Sequence, residues 1–292
     1  MAITKDVKSK IDQLKREYDS FKKNKETLLD IIFEAELPES VYNSNAIENS
    51  TLTIAETEKI LLELDVSRNV SLREVFEAKN LARVFEYIKG KINSKNLDIE
   101  LILFFHKMLI ANIDDNISGR FRKQYEFVRI STHIAPAPEH IEAMMEAALL
   151  EYSSNHSSYF LEKIVQFHLN LEHIHPFNDG NGRIGRVLIN YQLMQLGFPP
   201  IIIRDKGKTT YYEGFREYRE KNKNVTMEKV LTLALLESFN KRISYLKSDN
   251  IIRLSEYSQN IKQSLKVLLN KAKRQTIPAF REKGVWKIGT IR

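Results

Sequence analysis

The stretch His173-Ile-His-Pro-Phe-Asn-Asp-Gly-Asn-Gly-Arg-Ile-Gly-Arg186 decides the reading of this chain. Before it, Leu161, Ile164, Val165, His168 and Leu169 recur at helical spacing. After it, Ile184, Val187, Leu188, Tyr191 and Met194 do the same. The spacing predicts helices over 159–173 and 183–196, with a Gly-rich, charged loop feeding the second. A helix N-terminus offers unpaired N–H groups and the positive end of the dipole, the usual setting for phosphate. Gly180 and Gly182 let the backbone approach an anion closely. Arg183 and Arg186, three apart, bring two guanidinium groups to the helix start, which suits a polyphosphate. Asp179 is placed to hold Mg²⁺ through one carboxylate and phosphate oxygens. His175, just outside the cradle, could act as a general base near neutral pH.

Two other chemistries compete for the same residues. Gly180-Asn-Gly-Arg-Ile-Gly185 has the spacing of a dinucleotide-binding fingerprint, which needs a buried strand immediately before it. A helix followed by His-Pro-Phe-Asn-Asp stands there instead, so that reading fails. His168, His173 and His175 suggest a zinc site, yet three His within eight residues are a weak signal for one. His168 falls on the apolar face, where a core histidine is the ordinary case.

Outward from the loop, the pattern is helical. Val7, Ile11, Leu14, Tyr18 and Phe21 mark an amphipathic helix too short for a coiled coil. A loop is expected around Pro38. Thr53-Ile-Ala-Glu56 and Ser71-Leu-Arg-Glu74 have capping-box form. Further helices are expected over 97–110, 140–153, 209–222 and 226–247. Only 120–135 reads as β, through Tyr125, Phe127, Val128, Ile130 and Ile134. It would form a surface hairpin on a mainly α body. Residues 275–292, with Gly284 and Gly289, fit no clear pattern.

Composition bounds the rest. The 292 residues are 42% hydrophobic and 28% charged, with 10 Gly, 7 Pro and no Cys. These values exclude collagen-like, Pro-rich, disulfide-stapled and thiolate-metal classes. No apolar run approaches a membrane span, and the first residues lack the core of a signal peptide. The expectation is a cytoplasmic protein that uses no membrane. Residues 241–292 hold thirteen Lys/Arg and three acids, a balance of +10. With +7 overall, the first 240 residues carry −3. A basic end on a near-neutral body suggests an acidic partner such as nucleic acid, against the simpler reading of a solvated Lys-rich face.

His175-Pro-Phe-Asn-Asp-Gly-Asn-Gly-Arg-Ile-Gly-Arg186 resembles the signature of the Fic (filamentation induced by cAMP) family, H-P-F-x-[DE]-G-N-G-R-x-x-R, at every fixed position. The resemblance covers roughly residues 40–240. It implies a Fic-type helical bundle with a small β-hairpin flap over the active site. The implied activity is protein adenylylation, the transfer of AMP from ATP to a Ser, Thr or Tyr hydroxyl of a target protein. His175 would deprotonate that hydroxyl, and Asp179 would hold Mg²⁺ on the ATP phosphates. Gly180, Asn181 and Gly182 would form an anion hole, Arg183 would secure the phosphates, and Arg186 would meet the γ-phosphate. Phe177 would anchor the loop in the core. The hairpin would dock the target by strand addition, with Ile130, Ser131, Thr132 and His133 facing substrate or ATP. Tyr211 and Tyr212 match the place of an adenine-contacting aromatic. Eight residues beyond Tyr211, where the family often has Asn, stands Arg219.

Ser44-Asn-Ala-Ile-Glu48-Asn49 by itself reads as a solvated helix cap. It is also similar to the family's inhibitory motif, [ST]-x-x-x-E-[GN], which implies the subgroup with an N-terminal inhibitory helix. There Glu48 would pair with Arg186 and fill the γ-phosphate's space. The resulting division is a helical segment over 1–39 and a Fic domain over 40–245. A basic helical extension, or a partial winged-helix-like module, would fill 246–292. The implied partners are the target protein, self-modification and a homodimer. Alternatives are a different donor, removal of AMP, or DNA binding through the basic end.

Overall fold

The computed structural model describes residues 3–64, 66, 68–91, 96–130 and 133–290. Ser131 and Thr132, expected to face substrate, lie outside the described residues. The fold is mainly α, as the periodicity predicts. The helix after the Gly-rich loop, α8 (Asn181–Gln195), is its axis: every residue from Arg183 to Leu193 is buried. A helix buried on all sides must be clad by others. On one side α4 (Leu72–Lys91) and α5 (Ile99–Ile110) supply Leu81, Phe105 and Leu109 against Val187, Leu188 and Tyr191. On the other side lie α7 (Phe160–Ile174), α9 (Lys208–Lys221) and α10 (Val225–Leu246). They bring Leu161, Val165, Tyr211 and Leu235 to Ile189 and Leu193. The N-terminal α1 (Lys5–Lys22) joins this second cluster through Ile11 and Tyr18, with Tyr18 edge-on to Phe239 at 5.8 Å. Gripped from both sides, α8 holds its N-terminus in a fixed place.

The expected loop around Pro38 is absent: Pro38 lies inside α2 (Glu26–Ile47). Proline removes one backbone donor and crowds the preceding turn. Tertiary contacts on either side of it outweigh that local penalty. Glu36, buried, meets Lys241 at 3.1 Å and Arg242 at 2.5 Å on α10. Glu39, also buried, pairs with Arg204. The two capping boxes differ in outcome. Thr53 and Glu56 bond reciprocally at the start of α3 (Ile54–Leu61). Ser71 accepts from the Glu74 N–H at 3.2 Å, while the Glu74 carboxylate accepts from the Thr51 N–H at 2.6 Å. Glu74 thereby ties α4 to the chain just after Asn49.

The β segment is shorter than 120–135. Strands β1 (Arg129–Ile130) and β2 (His133–Ile134) pair antiparallel, Ile130 opposite His133. Residues 120–128 turn instead, because Arg120 grips Glu126 with both guanidinium nitrogens at 2.7 Å and the Lys123 N–H donates to Glu126 at 2.6 Å. The C-terminal region also departs from the helical expectation. Strands β3 (Asn250–Arg253), β4 (Ala279–Glu282) and β5 (Val285–Thr290) form an antiparallel sheet in the order β3-β5-β4. Helices α11 (Leu254–Asn260) and α12 (Leu265–Lys273) lie between β3 and β4 in sequence. Lys283 and Gly284 both take positive φ, at 47° and 80°, the geometry of a tight two-residue hairpin. Glu39 accepts from both of their N–H groups, at 3.0 and 3.1 Å. The helix α2 thus caps the C-terminal hairpin.

Removing the Glu36 carboxylate leaves Arg242 buried without its ion-pair partner and Lys241 with Glu282 alone. Glu36→Ala is expected to cost about 3–5 kcal/mol in a denaturant titration. Lys247→Gln, which loses a half-exposed pair with Glu17 and a cation–π contact with Phe21, should cost about 1 kcal/mol.

Candidate active site

The loop begins where α7 stops. His175 caps it in the left-handed conformation, φ 50°. Its N–H donates to Leu171 O at 2.8 Å. Its side chain turns toward Glu172, with Nδ1 3.5 Å from Oε2. Burial alone would raise the Glu172 pKa. The neighbouring His175 side chain and the Arg186 charge hold that carboxyl below its ordinary value. A charged carboxylate behind Nδ1 leaves Nε2 as the free nitrogen of His175.

Phe177, fully buried, pins the loop. The Asn181 side chain staples it in both directions, accepting from the Phe177 N–H at 2.9 Å and donating to Phe177 O at 2.8 Å. The Asn181 side chain is thus tied to the loop, and its backbone N–H lies at the start of α8. Two residues not singled out by sequence complete the frame. His106 on α5 stacks on Phe177, centroids 3.8 Å apart and planes 7° off parallel. It accepts from the Gly119 N–H on Nδ1 at 3.0 Å, so Nε2 carries the proton and donates to Asp179 O at 3.0 Å. Arg122, also buried, donates to the carbonyls of His175 at 2.9 Å, Glu126 at 2.8 Å and Pro136 at 2.9 Å. It ties the flap to the backbone of His175. The flap's other anchor is His133, whose Nε2 donates to His173 O at 2.9 Å.

Gly180, at φ 83°, opens α8. Arg186, one turn in, is buried and reaches α2. Its Nε donates to Ser44 Oγ at 2.9 Å, and Nη2 donates to Ser44 O at 2.7 Å and Glu48 Oε1 at 2.8 Å. Burial would lower the Arg186 pKa, but Glu48 and Tyr211 raise it further, so the guanidinium stays charged. Glu48 caps the C-terminus of α2, and Asn49 after it takes φ 68°, a conformation Asn tolerates. The Glu48 carboxylate also rests on the α8 N-terminus: a Cβ on Gly182 would stand 2.2 Å from its Oε1. Ser44 to Ile47 are buried, while Glu48 and Asn49 at the helix end are exposed.

Asp179 accepts from the Gly180 N–H at 2.6 Å and from Arg183 at 2.8 Å, and pairs with Arg73 on α4. Burial pushes its pKa up, and the charges of Arg183 and Arg73 overcome that and hold it below the ordinary value. Glu77 bridges the two arginines, 3.0 Å from each. No group of three His, Asp or Glu able to hold a metal occurs among the described residues. Asp179 alone suits Mg²⁺ only when phosphates bring further oxygens. The donors suit phosphate: Arg183 Nε and Arg186 Nη1 are buried without hydrogen-bond partners.

Other candidates are placed differently. Tyr211 is buried, its hydroxyl 2.8 Å from His168 Nε2, so it is a core residue and offers no free face to a base. Tyr212 is 42% exposed and its hydroxyl donates to Ile47 O at 2.8 Å, joining α9 to α2. His168 packs beneath Gly185, where a Cβ would stand 2.7 Å from the imidazole.

Residues 96–193 match the Fic/DOC family. Over those residues the chain is similar to a Fic domain. It is 34% identical over 177 residues to "Protein adenylyltransferase Fic" of Nematostella vectensis, covering 59% of this chain and 41% of that protein. The Drosophila melanogaster protein of the same name is 33% identical over 175 residues, covering 59% and 35%. The chain thus spans well under half the length of these relatives. A solved Fic domain-containing signaling protein from Bacteroides thetaiotaomicron matches with a TM-score of 0.70 and 25% identity, over 82% of this chain and 97% of that one. A Fic family protein from Desulfovibrio desulfuricans shares the fold over 97% and 96% of the two chains, with a TM-score of 0.66 at 18% identity. No helix among the described residues is long and apolar enough to cross a membrane.

Burial lowers the pKa of both His106 and His168 to about 4, from an ordinary 6.5. The unfolded chain therefore takes up these protons first as pH falls. Stability should be unaffected above about pH 6.5, drop between there and pH 4, and level off below, by about 3 kcal/mol for each histidine. Urea titrations across that range check it, and His168→Gln should flatten the slope.

Proposed function

We propose that this chain is a protein adenylyltransferase, moving AMP from ATP to a Ser, Thr or Tyr hydroxyl of a target protein and held off at rest by Glu48. The observation that carries this reading is the cradle at the α8 N-terminus, where Arg186 and the Gly182 backbone hold a carboxylate in the place of a phosphate.

In the forward step the target hydroxyl gives its proton to His175 Nε2 as its oxygen attacks the α-phosphorus. The new O–P bond forms as the bond from that phosphorus to the bridging oxygen breaks, and pyrophosphate leaves. Glu172 behind Nδ1 orients the ring and stabilises the imidazolium. Arg122 holds the His175 carbonyl, so the base keeps its left-handed posture. The first N–H groups of α8, with Arg183 and Arg186, face the charge that develops on the phosphates. A Mg²⁺ on Asp179 would neutralise phosphate charge when nucleotide is bound. For that, Asp179 must exchange the Arg73 contact for the metal.

With Glu48 in place, a triphosphate cannot lay its terminal phosphate on Arg186, because the carboxylate's charge and volume are already there. Tyr212 and Glu74 brace the inhibitory segment on either side of it. The flap presents Ile130 and His133 beside the loop, and the edge of its short ladder is where an extended target segment would pair.

The test uses ATP labelled at the α-phosphate with Mg²⁺. Wild type should label protein, itself included, weakly, and Glu48→Gly should label at least about tenfold more. That factor corresponds to removing roughly 1.4 kcal/mol of competition for Arg186. Adding His175→Ala to Glu48→Gly should cut labelling about a hundred- to ten-thousand-fold, and EDTA should abolish it. Equal labelling by wild type and Glu48→Gly sinks the autoinhibition. Label from another nucleotide or phosphate donor but none from ATP sinks adenylylation.

A further inference from the structure

The basic C-terminal end divides into two sets. Lys241 and Arg242 pair with Glu36, Lys247 with Glu17, Arg281 with Glu237, Lys283 with Glu58 and Lys287 with Glu282. Five of these join the end to the body, and Lys287 pairs within the small sheet. Six others, Arg253, Lys262, Lys266, Lys271, Lys273 and Arg274, are exposed and make no ion pair among the described residues. All six lie between the end of β3 and the end of α12, and no acid occurs between Glu256 and Glu282. The cations that the fold leaves unneutralised are therefore gathered on one element pair.

That pair is a helix, a four-residue turn (261–264) and a second helix. On α12, Leu268 and Ala272 are buried and pack with Leu254, Ala279 and Ile288. At 100° per residue the opposite face carries Lys266, Asn270, Lys273 and Arg274, all exposed. We propose that this face docks on duplex DNA, with α12 in the major groove and the turn and α11 along a backbone. A helix about 10–12 Å across fits a groove about 12 Å wide. In such motifs the second helix enters the groove and the first crosses the phosphates. Asn270 lies among the cations and has the amide that reads base edges.

The same surface argues against other anionic partners. A membrane-surface helix needs a continuous free apolar face; Leu268 and Ala272 of α12 pack in the small module, and the exposed Leu265 and Val267 stand among the cations without forming one. Single-stranded nucleic acid needs exposed aromatic platforms. The nearest aromatics, Tyr257 and Trp286, are half-buried against the module's own core, and Arg281 covers Trp286 at 4.5 Å.

The proposal is independent of the adenylylation reading, and its test keeps the two apart. The full-length protein is titrated into a fluorescein-labelled random-sequence duplex of about 20 base pairs, two helical turns, followed by anisotropy. Binding should saturate at about 50 mM salt and weaken steeply by about 200 mM. Lys266→Glu/Lys273→Glu should weaken it at least about tenfold and reduce the slope of log K against log salt by about 2. Lys247→Gln, an ion-paired cation of the same segment, should bind within about twofold of wild type. Thermal melts confirm folding, and Lys266→Gln/Lys273→Gln replaces the charge reversal if that variant melts early. The proposal is overturned by no binding at low salt, by an equal loss in Lys247→Gln, or by single-stranded RNA of equal length displacing the duplex. Labelling by Glu48→Gly should be the same with and without the double reversal, so failure here leaves the proposed activity standing.

Discussion

One buried guanidinium organises this protein. Arg186 sits inside the bundle on the most enclosed helix, and a charge in that position is costly without a partner. Ser44 and Glu48 supply the partners, so the last turn of α2 closes over the start of α8. A carboxylate at a helix C-terminus opposes the α2 dipole. At the N-terminus of α8 the same carboxylate meets a favourable dipole and a cation. The contact therefore resolves two local electrostatic problems together, and it places the last turn of α2 against the N-terminus of α8.

The loop around His175 is held by neutral and polar contacts of a different kind. Asn181 satisfies Phe177 in both directions, His106 supports Asp179 through its carbonyl, and Arg122 collects carbonyls from the loop and the flap. A left-handed residue at the end of a helix persists only when its surroundings over-determine it. These three side chains, from three parts of the chain, do so. The pose of His175 is thus set by the core and not by the loop's own sequence.

Much of this was readable in advance because the information is local. Helices α5 and α7 to α10 follow from apolar spacing alone, and the cradle from Gly180, Gly182 and two arginines in register. What sequence missed depends on long-range contacts. Pro38 signals a break, yet two buried acids flanking it tie α2 to α10 and to Arg204. His106 looked like an interruption of an apolar run; its role exists only because Phe177 and Asp179, some seventy residues later, come to rest on it. Arg73 and Arg122 gave no signal, since an arginine in a helix or turn has no pattern until its acceptor is known. Residues 275–292 alternate imperfectly because Arg281 and Glu282 point into ion pairs with the body. Tyr211 was misplaced for the converse reason: a tyrosine at the right spacing says nothing of which face its ring takes.

The clamps on α2 determine how the cradle can open. Three buried acid–base contacts, through Glu36 and Glu39, fix this helix to α10 and Arg204. Breaking each by withdrawing one partner costs about 3–5 kcal/mol, which together rivals the whole stability of an ordinary domain, about 5–15 kcal/mol. Swinging the helix away is thus nearly the same as unfolding. Glu48 itself is 36% exposed at its side chain and has rotatable bonds. Its departure is therefore a matter of side-chain torsions, an event of picoseconds to nanoseconds where the group reaches solvent. The latch is fast, small and hung on an immovable post.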